Sequence, residues 1–119
     1  TDTVATSTPD NKQFPVRKPK PIAPKVLAYG DAVAKYADHR IQFTAGCLLA
    51  IPNQMAVANP VTIMLDTRSD TAQTITLAGK AYLISAYGYT LVTLNQKTLP
   101  AHLFIKCNQQ VNVAEIILQ

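Results

Sequence analysis

Residues 73–94 read QTITLAGKAYLISAYGYTLVTL, and the period of this stretch decides the fold. Successive side chains of an extended strand point to opposite faces, so Ile75 and Leu77 fall on one side while Thr74 and Thr76 fall on the other. The same alternation sets Leu91 and Thr93 against Val92 and Leu94. Gly79-Lys80 and Gly88 interrupt the run, as turn-forming residues do between strands. Tyr82, Tyr87 and Tyr89 crowd this segment. Tyr82 and Tyr89 read as cross-strand neighbours of a hairpin centred near Ser85 to Tyr87, in preference to the three forming a stacking or carbohydrate-contacting surface.

Outward from here the pattern continues. RIQF, MAVA, VTIMLD, AQTITLA, KAYLIS, GYTLVTL, AHLFIKC and NVAEIIL are short runs rich in Val, Ile, Thr, Leu and Tyr. Breaks fall at Pro52-Asn53, Asn59-Pro60, Ser69-Asp70, Asn95-Gln96 and Asn108. About seven or eight strands at this spacing, with no helix between them, predict an all-β, antiparallel Greek-key β-sandwich over residues 31–119. A short helix is expected near 31–38, with Asp31 as its N-cap and Val33, Tyr36 and Ala37 on one face.

The first 30 residues are of another kind. Five of the eight prolines lie there, and PVRKPKPIAP places Pro15, Pro19, Pro21 and Pro24 too densely for a helix or a central strand. The stretch reads as an extended, polyproline II arm. Lys12, Arg17, Lys18, Lys20 and Lys25 outweigh Asp2 and Asp10, so the arm carries +3 of the formal +4 of the whole chain. Phe14, Val16 and Ile22 supply apolar anchors that a plain spacer does not need. Together with Arg17, Lys18, Lys20 and Lys25 they form the expected partner-binding set, since prolines lower the entropy lost when a segment is laid along another surface. The competing reading is a stiff solvated linker.

At 119 residues and 48% hydrophobic content the chain suffices for one domain with a core. Only 15% of its residues are charged, which implies that part of the surface is covered by a partner. No apolar run approaches the ~20 residues of a membrane-spanning helix. TDTVATSTPD has the small, polar character of a processed N-terminus, and the two cysteines make an even count, so residence outside the cytoplasm is expected: secreted, at the cell surface or periplasmic.

Residues 40–119 resemble the cupredoxins, small blue-copper sandwiches. FTAGCLLAIPNQMAVANPVTIMLDTRSDTAQTI is similar to the opening of that family, in which a glycine-containing loop, an apolar-Pro strand and a hydrophobic strand lead to a metal-binding histidine. LPAHLFIKCNQQ is similar to the strand that delivers the copper thiolate, with Leu103 and Ile105 in the apolar slots before Cys107. The resemblance gives Gln73 the place of the first imidazole. After Cys107 the chain reads Asn108, Gln109, Gln110, Val111, Asn112, without the second histidine and the methionine that the family places in this loop. The implied domain is a cupredoxin-like sandwich that has lost its copper ligands, with no cofactor. The family layout also makes Cys47 and Cys107 neighbours, which implies a disulfide closing about 60 residues, with stabilisation on the order of 4 kcal/mol. Two buried, unpaired thiols are the alternative.

Little other chemistry can be assembled. His39 reads as a surface residue before a strand and His102 as one on a solvent face, and neither neighbours a nucleophile setting. Asp66 and Asp70 flank Arg68 in what reads as a turn. There is no phosphate-cradling glycine loop and no basic stripe interleaved with aromatics, which argues against nucleic acid as a partner. The sequence therefore points to a non-catalytic structural or assembly protein whose arm contacts protein partners, either copies of itself or a larger complex. The runner-up is an electron-transfer module in which Cys107, Met55 or a histidine forms a nonstandard copper site.

Overall fold

The alternation in 73–77 is realised as burial: Gln73, Ile75 and Leu77 are buried and Thr74 and Thr76 are half-buried. The computed structural model describes residues 27–119, so the predicted arm residues Phe14, Val16, Arg17, Lys18, Lys20, Ile22 and Lys25 lie outside the described residues. A helix α1 spans Tyr29–Lys35 and a tight turn Ala37–His39 follows it. Nine strands come next: β1 Arg40–Thr44, β2 Ala50–Ile51, β3 Gln54–Val57, β4 Val61–Arg68, β5 Gln73–Leu77, β6 Lys80–Ile84, β7 Tyr89–Leu94, β8 Ala101–Cys107 and β9 Gln110–Leu118.

They form a five-stranded sheet, β3-β9-β8-β5-β6, facing a four-stranded sheet, β2-β1-β4-β7. Five of the pairings are antiparallel. The other two, β1 with β4 and β3 with β9, are parallel. The parallel β1–β4 contact follows from the path of the chain, which leaves one sheet after β2, adds β3 to the other and returns as β4.

The inward residues of both sheets make one core. Ile41, Phe43, Ile63 and Leu65 meet Ile75, Ile105, Ile116 and Leu118, all fully buried. Each such aliphatic side chain contributes about 1.5–3 kcal/mol of transfer free energy. Strand β4 is covered on both faces. Its Ile63 and Leu65 belong to the core, whereas Met64, like Ala32 of α1, is equally buried but lies outside that cluster.

Three local expectations are corrected. Residues 80–84 and 89–94 do not form a hairpin: Tyr82 pairs with Ile75 in one sheet and Tyr89 with Asp66 in the other. Ser85 to Gly88 carry the chain between sheets, held by Gly88 N–H to Ser85 O (2.8 Å), Tyr87 N–H to Ser69 O (3.0 Å) and Thr67 N–H to Gly88 O (2.9 Å). Asp31 is not the N-cap of α1; it lies in the first turn, and the cap is Ala28, which offers no side-chain hydrogen bond. Asp66 is not a turn residue; it lies in β4 and is fully buried.

Candidate functional site

The end of the sandwich at which β1 and β8 terminate brings together the residues to which the resemblance assigns copper chemistry. After Thr44 the chain turns through Gly46 (φ 69°) and Cys47 (φ 56°), and Thr44 N–H donates to Leu49 O at 3.0 Å to close the loop. A positive φ costs little at a glycine, so Gly46 permits the turn that points Cys47 inward. Leu48 and Leu49 are left 79% and 60% exposed. Cys107 ends β8 opposite Ile75. Asn108 fixes that end, since its N–H donates to Thr74 O (2.8 Å) and its Oδ1 accepts from Thr74 N–H (2.9 Å). Cys47 and Cys107 are joined by a disulfide, with Cα atoms 5.7 Å apart.

Gln73 is buried beside this link. Its Nε2 donates to Thr44 O at 3.0 Å, while its Oε1 has no partner. A type 1 copper site needs two imidazoles and a free thiolate in a trigonal set, and the residues present do not fit that group. The sulfur of Cys107 is bonded, and Gln73 offers an amide committed to the backbone. His39 precedes β1 and His102 is the second residue of β8. Both strands run toward the disulfide, so the imidazoles lie toward the opposite end. Met55 faces the core from β3. Among the described residues no three His, Cys, Asp or Glu side chains are grouped to hold a metal.

A second cluster lies on the outer face of the four-stranded sheet, and it was not legible as a site in the sequence. Asp66 Oδ2 accepts from the Tyr29 hydroxyl (2.7 Å) and from Arg40 Nε (2.9 Å), and Arg40 Nη2 lies 2.7 Å from the same oxygen. Arg68 Nε is 2.7 Å from Asp66 Oδ1, a charge contact without hydrogen-bond alignment. The Arg68 guanidinium covers the Tyr29 ring at 4.4 Å and donates to Tyr87 O. The Tyr89 hydroxyl donates to Leu27 O. Burial pushes the Tyr29 phenol pKa up, and the adjacent Asp66 carboxylate pushes it further. For Arg40 burial acts to lower the pKa, but the hydrogen bond and charge of Asp66 outweigh it and hold the guanidinium above its ordinary value. The cluster clasps α1 to the sandwich.

On the outer face of the other sheet, His102 Nδ1 donates to Glu115 Oε2 at 2.6 Å and Gln54 Nε2 to Glu115 Oε1 at 3.0 Å. The hydrogen bond from His102 first, and that from Gln54 second, hold the Glu115 carboxyl below its ordinary value. Among the described residues no helix is long and apolar enough to cross a membrane.

No protein-family model matches the chain, and no curated protein matches it in sequence. Solved structures do. A purple cupredoxin from Nitrosopumilus maritimus superposes with a TM-score of 0.53 at 9% identity, covering 67% of this chain and 98% of that one. A copper binding protein in its apo form gives 0.51 at 13% identity, covering 67% and 86%. A Cu(I) form of an amicyanin variant gives 0.52 at 11% identity, covering 73% and 89%. The fold is therefore cupredoxin-like.

Proposed function

We propose, from a cupredoxin-like sandwich as premise, that this chain is a non-catalytic assembly subunit of an extracytoplasmic structure, and that the basic, proline-rich arm before Leu27 contacts copies of the chain or a larger complex. The observation that carries this reading is the Cys47–Cys107 bond. It places a covalent link at the position that the resemblance gives to a copper thiolate, so that end of the domain is closed without a metal. Disulfides persist in oxidising compartments, which supports the location.

Two further features support the role of the arm. Its root is fixed by Tyr29–Asp66 and Tyr89–Leu27, so it departs from a defined place, which reduces the ordering cost of docking. The disulfide end also presents Leu48, Leu49 and Val111, each at least 60% exposed, as apolar contact surface.

The electron-transfer reading is favoured by the names of the structural neighbours, which are copper proteins, and it requires Cys107 to be free. Intact mass under non-reducing conditions, with metal analysis on the same sample, separates the two. A chain lighter by two hydrogens and free of metal supports the assembly reading, and free thiols with stoichiometric copper overturn it. Removal of residues 1–25 then tests the arm by sedimentation velocity: a truncated chain that associates as tightly as the full one refutes the role assigned to it.

A further inference from the structure

A groove of about 310 Å³ opens on the outer face of the five-stranded sheet, at the start of β3. We propose that it binds a neutral polyhydroxyl ligand, a sugar ring seated on Phe104 with its hydroxyls on Gln54, Glu115, Asn53 and Asn112. This goes beyond the assembly reading and does not depend on it.

Register builds the floor. Gln54 pairs with Glu115 across β3 and β9, and Glu115 pairs with Phe104 across β9 and β8, so the three side chains form one row on the solvent side of the sheet. Phe104 is 54% exposed, an aromatic side chain open to solvent. The Glu115 carboxylate is held from both sides by His102 and Gln54. Each of its oxygens keeps a further acceptor site, because a carboxylate offers about four lone pairs. The walls arise from two interruptions of the ladder. Strand β3 begins only at Gln54, and the register of β9 against β8 shifts between Gln110 and Ala114, with Asn112 in the left-handed region at φ 55°.

The chemistry of the lining selects the ligand. The amides of Asn53, Gln54 and Asn112 each donate and accept, as a hydroxyl does. The ring face of Phe104 is electron-rich and suits the polarised C–H groups of a sugar. Among the described residues no basic side chain lines the groove, which disfavours anions. Among the described residues the one lining carboxylate, Glu115, is already engaged by His102 and Gln54, which disfavours a cation. An added peptide strand needs a continuous edge, and the bulge with Asn112 breaks it. The volume is at the lower end of the roughly 300–1,000 Å³ of small-molecule pockets, enough for one or two sugar rings.

The test is a two-dimensional amide NMR titration of the full, disulfide-bonded chain with tetrasaccharides of β-linked glucose, α-linked glucose, β-linked N-acetylglucosamine and α-linked mannose. At least one should shift amides 53–54, 104 and 112–115 in fast exchange, with a Kd between about 0.1 and 10 mM. Phe104→Ala should weaken it by about tenfold or more while the rest of the spectrum stays in place, and Phe104→Tyr should retain it. If Phe104→Ala fails to fold, Gln54→Ala, on an exposed edge strand, takes its place with the same expected direction. Silence from every probe at about 20 mM, shifts confined to other regions, or equal binding by the variants would overturn the proposal.

Discussion

Cys107, the last residue of β8, is bonded to Cys47, which lies 60 residues earlier in the turn after β1. The link ties the edge-proximal β1 of one sheet to the middle of the other, and closing a loop of that length stabilises the fold by about 4 kcal/mol through the unfolded chain. Replacing both cysteines by serine should lower the urea midpoint by that amount divided by the m-value. An unchanged midpoint would mean that packing around Ile75 and Ile105 alone holds this end together.

Asp66 is fully buried between Arg40 and Arg68, whose side chains are 20% and 27% exposed. Removing one member of such a group leaves the others uncompensated, which costs about 3 kcal/mol or more in buried cases. Because both guanidinium groups reach solvent, Asp66→Ala should fall near the lower end. Tyr29→Phe removes both the hydrogen bond that the hydroxyl donates to Asp66 and the one it accepts from Arg40 Nη2 (2.7 Å), and should cost about 1.5–3 kcal/mol. A double-mutant cycle on Tyr29 and Asp66 by chemical denaturation checks both. Additive losses would show that Tyr29 and Asp66 do not stabilise each other.

What the sequence disclosed and what it withheld divide along locality. The strands were legible because alternation is a property of adjacent residues: Ile75 and Leu77 announce β5 without reference to anything distant. Ala50–Ile51 is too short to show a period, and β2 went unread. Alternation also fixes a face but not a sheet, so 80–84 and 89–94 looked like one hairpin. Asp66 depends on Tyr29, 37 residues away, and on Arg40, 26 away, and its chemistry is invisible without them. The groove is likewise a product of register between β3, β9 and β8. The strand period puts His102 on a solvent face, but its partner Glu115 is fixed only by that pairing.

The carboxyl of Glu115 titrates below its ordinary 4.5, first through its hydrogen bond from His102 and then through that from Gln54. A carboxylate with a depressed folded pKa contributes stability that is fully present above the unfolded pKa and is lost as pH falls through the folded one. The contribution should therefore disappear below about pH 4.5, and salt should weaken it because the pair is close to solvent. Carboxyl carbon NMR should place the native midpoint below 4.5, and His102→Ala should raise it more than Gln54→Ala does. A native midpoint at or above 4.5 would show that the contact is not kept in solution.

Gly88 is needed for space. Its φ is not in the left-handed region, but a Cβ there would stand 2.7 Å from Ser85 Oγ and 3.0 Å from Ser85 O. The segment cannot move away easily, because Gly88 N–H is bound to Ser85 O and Gly88 O accepts from Thr67 N–H. Gly88→Ala therefore forces apart the turn that carries the chain from one sheet to the other. The cost should be about 1–3 kcal/mol, the range for overpacking a tight site. Ser85→Ala in the same chain removes the hydroxyl contact but leaves the carbonyl one, so it should recover only part of the loss. Full recovery in the double variant, read from urea midpoints, would assign the strain to the side chain alone and leave the backbone free to adapt.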